Sequence, residues 1–153
     1  KMQEEAKRRE MAKKKKAMLA ALEEHTRDVL AADPDLPLAL VGDYNIAPED
    51  RDVHDPVAWQ GQVLVSEPER EAFRKLQALG LTDSYRLFEQ PEKMYSWWDY
   101  RQMGFRLNRG LRIDHILLSE ELVPRCTACV IDKVPRKWEQ PSDHAPVIAT
   151  LAD

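Results

Sequence analysis

At 153 residues, 43% of them apolar, the chain is long enough for one domain with a sizeable core, and a single globular unit is expected. No run approaches the roughly 18 apolar residues that span a bilayer, and no charged-then-apolar leader opens the chain, so a soluble, intracellular protein with no membrane contact is expected. The net charge of −4 hides an asymmetry: residues 1–16 carry eight Lys or Arg against three Glu, a local +5 against −9 elsewhere, which excludes bulk attraction to nucleic acid and leaves only local basic patches for it.

The first sixteen residues are almost all charged or Ala, so propensity favours helix while nothing obvious is buried. Residues 1–17 are read as a lysine-rich helical extension of a domain spanning 18–153. From Met18 the spacing changes. Met18, Leu19, Leu22, Val29 and Leu30 fall on one helical face, and Asp33-Pro34 ends a helix over roughly Ala12 to Ala31. The run from Leu36 to Val41 suits a strand covered on both faces. Gly42-Asp43-Tyr44-Asn45 closes it, and the polar stretch Ala47 to Gly61 is a long loop of the kind that often carries function.

Ser66-Glu67-Pro68-Glu69 is a capping box that opens a helix over Glu67 to Leu79, with Phe73, Leu76 and Leu79 on one face and Gly80 as its stop. A shorter helix is expected from Asp83 to Phe88. Strands are expected over Tyr95 to Tyr100, Arg112 to Leu118, Thr127 to Val134 and Ala145 to Leu151, punctuated by Pro91, Pro124, Pro135 and Pro141. Cys126 and Cys129 form a lone C-x-x-C. In a strand, residues three apart point to opposite faces and cannot grip one metal, so the pair is read as reduced structural thiols.

Three short motifs carry candidate chemistry. In Gly42-Asp43-Tyr44-Asn45, the carboxylate and the amide lie two apart at a strand end and can face one ligand, although the same residues suit a simple Asx turn. In the run from Arg112 to Leu118, alternation puts Asp114 on the same face as Ile116 and Leu118. A carboxylate there needs a partner, either a functional one or an arginine such as Arg109 or Arg112. His115 faces the other way and reads as a packing or surface histidine. In Ser142-Asp143-His144, the imidazole could serve as acid or base near neutral pH if a carboxylate fixes its tautomer, and Asp143 could bind a hard cation. Each motif alone fits an ordinary turn or ion pair.

Together with Tyr95-Ser96-Trp97-Trp98-Asp99-Tyr100-Arg101, Gly110-Leu111-Arg112-Ile113-Asp114 and the loop Ala47-Pro48-Glu49-Asp50, these motifs resemble the exonuclease III / AP endonuclease family. The likeness runs from about Leu38 to Leu151. Related sphingomyelinases and inositol phosphatases share the Gly-Asp-x-Asn and Ser-Asp-His motifs but not the Trp-Trp-Asp-Tyr-Arg segment. The resemblance implies an α/β fold, the C-terminal half of a four-layered α/β sandwich with mostly antiparallel sheets. It implies metal-assisted hydrolysis of DNA phosphodiesters with Mg²⁺ or Mn²⁺, on double-stranded DNA with abasic or 3′-end lesions, in the bacterial cytoplasm. Asp43 would orient the attacking water, Asn45 would bond the scissile phosphate, Asp114 would pair with His144, and His144 would stabilise phosphate charge. Asp143 would belong to the metal site, and Trp97, Leu111 and Ile113 would wall the pocket for a base-less sugar. Trp98 reads as core. The family's early asparagine, metal-binding glutamate and phosphate-touching tyrosine have no matching position. A complementary N-terminal half or a second copy is therefore expected as a partner. The alternative is an incomplete half-domain that works as an assembly or self-association module.

Overall fold

The computed structural model describes all 153 residues. A single helix, α1 (Met2–Ala32), takes in both the lysine-rich segment and the amphipathic one, about 46 Å of helix. Its first buried residue is Leu19, and Leu22 and Leu30 pack beside it. Met18, expected on that face, instead points to solvent at 69% exposure, and Thr26 is buried in the inward stripe. Met18 lies at the edge of the stripe that Leu19, Leu22, Thr26 and Leu30 centre, on the side away from Leu30.

Ser66 and Glu69 close the expected capping box of α3 (Glu67–Ala78), which follows a one-turn helix α2 (Pro56–Trp59). Phe73 and Leu76 of α3 interlock with Leu19 of α1. Both helices lie on one face of a sheet ordered β1 (Ala39–Asp43), β5 (Asp114–Leu118), β2 (Thr82–Asp83), with β5 central and antiparallel to both neighbours. Leu40 and Leu117 point toward the helices. Leu118 and Ile116 point the other way, where Cys126 and Ala149 meet them from the antiparallel hairpin of β6 (Cys126–Ile131) and β7 (Val147–Leu151). The layers are therefore helix, sheet and hairpin. A small ribbon of β3 (Trp97–Trp98) and β4 (Gly110–Leu111) closes one end.

Several elements depart from expectation. The segment expected as a helix over Asp83 to Phe88 is the short strand β2 followed by a 3-10 turn, Ser84–Leu87, which Asp83 caps through the Tyr85 amide. The expected strand Tyr95 to Tyr100 shrinks to two residues, because the Asp99 side chain accepts the Arg101 amide and turns the chain out. Cys126 and Cys129 do not point apart: a register shift between Cys126 and Ala128 breaks the alternation, and both free thiols are buried. The strand from Leu36 to Val41 is not covered on both faces, since Val41 is 66% exposed. Val130 and Ile148, partners on the outer face of the hairpin, are exposed as well.

Gly110 sits where β4 crosses Trp98. A Cβ there would lie 2.5 Å from the Trp98 indole nitrogen and 2.7 Å from Tyr95 Cβ. Trp98 is fully buried, edge-on to Phe105, with its N–H donated to Asn108. It has no room to retreat. Gly110→Ala is therefore expected to lower stability by about 1–3 kcal/mol in urea denaturation, the usual cost of overpacking; an unchanged midpoint would show that the ribbon can shift freely.

Candidate active site

The register of β1 against β5 sets Asp43 directly opposite Asp114. Two carboxylates on adjacent strands repel, and a cation or donor between them relieves the strain. His144 takes that place. Its Nδ1–H donates to Asp114 Oδ2 at 2.8 Å, and its Nε2 lies 3.7 Å from Asp43 Oδ2 and 3.9 Å from Asp143 Oδ1. Backbone pairing holds it there: Trp98 N–H donates to the Asp143 carbonyl, Ala145 N–H to the Ser96 carbonyl, and the Ser142 hydroxyl accepts the His144 N–H. The strand entrance thus turns His144 into a cleft of about 400 Å³, whose walls include Val41, Asp43, Asp114, Ile116 and Val147.

Asp43 and Asn45 form an Asx turn, with Asn45 N–H donating to Asp43 Oδ1 at 2.8 Å and Asn45 in the left-handed region at φ +52. The turn and the functional geometry coincide, because closing the turn through Oδ1 leaves Oδ2 aimed at His144. Ser96, fully buried, lends its hydroxyl oxygen to the amides of both Ile113 and Asp114. Asp143 Oδ2 accepts the Trp97 indole N–H at 3.0 Å, leaving Oδ1 3.9 Å from His144 Nε2.

Partial burial alone would lower the His144 pKa, but the bond to Asp114 and the charges of Asp43 and Asp143 outweigh it and hold the imidazole above its usual range. Burial pushes the Asp114 carboxyl up, against the pull of His144 and Ser96. An imidazole poised this way can carry positive charge at neutral pH.

Asp43, Asp114 and His144 offer ligand atoms within 4.8 Å of one another, with the Asp143 carboxylate beside them. Hard carboxylate oxygens beside an open cleft suit a hard divalent cation. Trp97 is half-buried at the edge of this cluster. Leu111 and Ile113 are not brought to the open cleft: both are buried behind Trp97, packed with Ala47, Val53 and Val65.

Arg112 does not pair with Asp114. Its guanidinium, 1% exposed, donates from Nε to Asp52 Oδ1 at 2.7 Å and from Nη2 to Asp83 Oδ2 at 2.7 Å, and Arg86 donates to the same Asp52 oxygen at 2.6 Å. His115 is buried and structural: Arg112 donates to its Nδ1 at 3.2 Å, which forces the proton onto Nε2, and Nε2–H donates to the Ile46 carbonyl at 2.7 Å. Neither Asp52 nor Asp83 stood out in the sequence, where one sits in a polar loop and the other in a helix-cap context. The signal available was Arg112 itself, flanked by residues that had to be buried.

Burial and the facing Arg112 push the His115 pKa down to about 4, and the guanidinium groups overcome burial to hold Asp52 below the usual carboxylate range. A histidine depressed in the fold stabilises it fully above its unfolded value of about 6.5 and loses that contribution as pH falls toward 4. A histidine raised in the fold, His144, acts in a separate window, adding stability only below its own elevated pKa. Stability in urea is therefore expected to fall by on the order of 3 kcal/mol between pH 6.5 and 4. His115→Gln, which keeps one donor and one acceptor, should flatten that slope; an equally steep slope in the variant would show that His115 is not its source.

Residues 17–144 match the Endonuclease/Exonuclease/phosphatase family. Exodeoxyribonuclease III of Haemophilus influenzae is 41% identical over 124 residues, covering 76% of this chain and 46% of that protein. Among solved structures, a 3′ phosphatase from Neisseria bound to a product DNA hairpin is 41% identical with a TM-score of 0.83 over 88% of this chain and 52% of that one. An AP endonuclease from Archaeoglobus fulgidus is 33% identical with a TM-score of 0.82 over 89% and 52%. The chain spans about half the length of the relatives it matches. With the Asp114–His144 pair, the Gly-Asp-x-Asn turn and this likeness in hand, the chain belongs to the endonuclease/exonuclease/phosphatase family, beside its exodeoxyribonuclease III and AP endonuclease members.

Proposed function

We propose that this chain supplies the C-terminal half of a metal-assisted DNA phosphodiesterase site of the exodeoxyribonuclease III type, acting on duplexes with abasic or 3′-end lesions in the bacterial cytoplasm. The observation that supports it most is the His144 imidazole held between Asp114 and Asp43 at the mouth of a cleft. Water, oriented by Asp43, attacks phosphorus and passes a proton to Asp43; the P–O3′ bond breaks, and the departing 3′ oxygen takes a proton from solvent water, leaving a 3′-hydroxyl and a 5′-phosphate. Asn45 bonds a non-bridging oxygen. His144, charged through its bond to Asp114, stabilises the negative charge that develops on phosphate. Asp143, through its free Oδ1, would hold Mg²⁺ or Mn²⁺, which supplies Lewis-acid stabilisation of the same charge. Trp97, with Leu111 and Ile113 behind it, forms the apolar wall that a base-less sugar tolerates and a normal base does not.

The exposed apolar residues define the other requirement. Val41 beside the cleft, and Val130 with Ile148 on the outer hairpin face, are apolar residues of the kind a fourth layer would cover. β1 and β7 each pair on one side only. A complementary N-terminal half, bringing the family's metal-binding glutamate, is the occupant that completes both the sandwich and the site. The same open edges support the alternative, in which the chain self-associates as an incomplete half-domain.

An abasic-site duplex incubated with Mg²⁺ and the chain, alone and with a matching first half, separates the two. Cleavage is expected on complementation and is expected to fall at least a hundredfold in Asp43→Asn. No cleavage in the complemented mixture, with both halves folded and co-eluting, would sink the nuclease reading. Sizing of the chain alone reports self-association, and a strict monomer would count against the alternative.

A further inference from the structure

We propose that the first turns of α1 form a phosphate-binding arm that grips the DNA duplex flanking the cleaved position. The proposal rests on the nuclease reading of the cleft and adds to it an interaction surface that the cleft does not contain.

Lys15 fixes where the arm stands. Its ammonium group donates to the Asn45 carbonyl at 2.5 Å and pairs with Glu69 of α3. Asn45 belongs to the turn that carries Asp43, so the helix passes that turn at Lys15 and continues beyond it. Residues 1–14 are all exposed and extend about 20 Å past that point. They carry Lys1, Lys7, Arg8, Arg9, Lys13 and Lys14 against Glu4, Glu5 and Glu10. Arg8 lies one heptad from Lys15, about 10 Å along the same helical face, with Lys7 and Lys14 flanking that face.

Charge complementarity identifies the occupant. Outside residues 1–16 the chain carries −9, which repels a polyanion, so its net positive charge lies on the arm. A duplex presents about one charge per 1.7 Å of axis, dense enough for two or three of these side chains to meet phosphates at once. An anionic bilayer is a poor match. Met2 and Met11, 84% and 70% exposed, are the only large apolar residues among the first seventeen, and an interfacial helix needs an apolar face.

The test is the salt dependence of binding to a fluorescein-labelled duplex bearing a tetrahydrofuran abasic analogue, measured by anisotropy with EDTA present. The full chain is compared with a variant carrying Lys7→Gln, Arg8→Gln, Lys13→Gln and Lys14→Gln, whose exposed positions leave the core untouched, and with a charge-preserving variant carrying Lys7→Arg, Arg8→Lys, Lys13→Arg and Lys14→Arg. Between 50 and 200 mM salt the full chain is expected to lose about ten- to fortyfold more affinity than the Gln variant, as two or three phosphate contacts require. The charge-preserving variant should follow the full chain. Equal salt slopes in all three, no measurable duplex binding by the full chain at 50 mM salt, or tighter arm-dependent binding to vesicles containing 30% phosphatidylserine would each overturn the arm. Failure of the nuclease reading looks different: the slopes separate as expected, but the complemented protein does not cleave.

Discussion

The buried guanidinium of Arg112 is the constraint on which the rest of this structure depends. It lies between the β4 and β5 strands, in chain order between Leu111 and Ile113 and two residues before Asp114. Two carboxylates, Asp52 and Asp83, neutralise it, and Arg86 completes a set of two positive and two negative charges. Through Asp52 it holds the loop after the Gly-Asp-x-Asn turn; through Asp83 it holds β2; through His115 it holds the Ile46 carbonyl, one residue past Asn45. A buried pair contributes little over an apolar replacement, but removing one partner strands the other, typically at a cost of several kcal/mol. The network therefore acts less as a source of stability than as a jig that fixes three points of the chain relative to one another.

That jig matters because the site is assembled from separate segments. Asp43 and Asn45 come from the end of β1, Asp114 from the start of β5, and Asp143 and His144 from the entrance to β7. Strand register alone brings Asp43 opposite Asp114, and the backbone bonds from Ser96 and Trp98 bring His144 between them. Three carboxylates around one imidazole make a centre with excess negative charge, which a protonated histidine or a nearby cation reduces. The raised His144 and the metal-compatible oxygens are thus two expressions of the same crowding of negative charge.

The distribution of exposed groups divides the surface into three parts. The helices α1 and α3 seal one face of the β1-β5-β2 sheet with Leu19, Phe73 and Leu76. The hairpin covers part of the opposite face, but its own outer residues Val130 and Ile148 remain open, as does Val41 by the cleft. Beyond both lies a helix with almost nothing apolar and a dense positive charge. Burial, open apolar surface and charge are thus separated along the chain, which fits a unit whose remaining contacts are made with other molecules.

The sequence by itself determined the parts governed by local rules. The capping box of α3 and the stop at Gly80 follow from backbone groups that nearby residues must satisfy, and the motif residues were legible because each pairs a strand end with a chemically demanding side chain. The family likeness rested on the same residues. What only the tertiary structure decided depends on partners distant in the chain. Arg112 chose Asp52 and Asp83 over Asp114, sixty and twenty-nine residues away, because enclosure favours full satisfaction of all its donors. A bulge reversed the expected split of Cys126 and Cys129, and the buried stripe centred on Leu19 and Thr26 left Met18 at its exposed edge. Leu111 and Ile113 went behind Trp97, since apolar periodicity marks a residue for burial without saying what will cover it. Composition likewise located the positive charge in the first sixteen residues, but the bond from Lys15 to Asn45 is what ties that segment to the turn carrying Asp43.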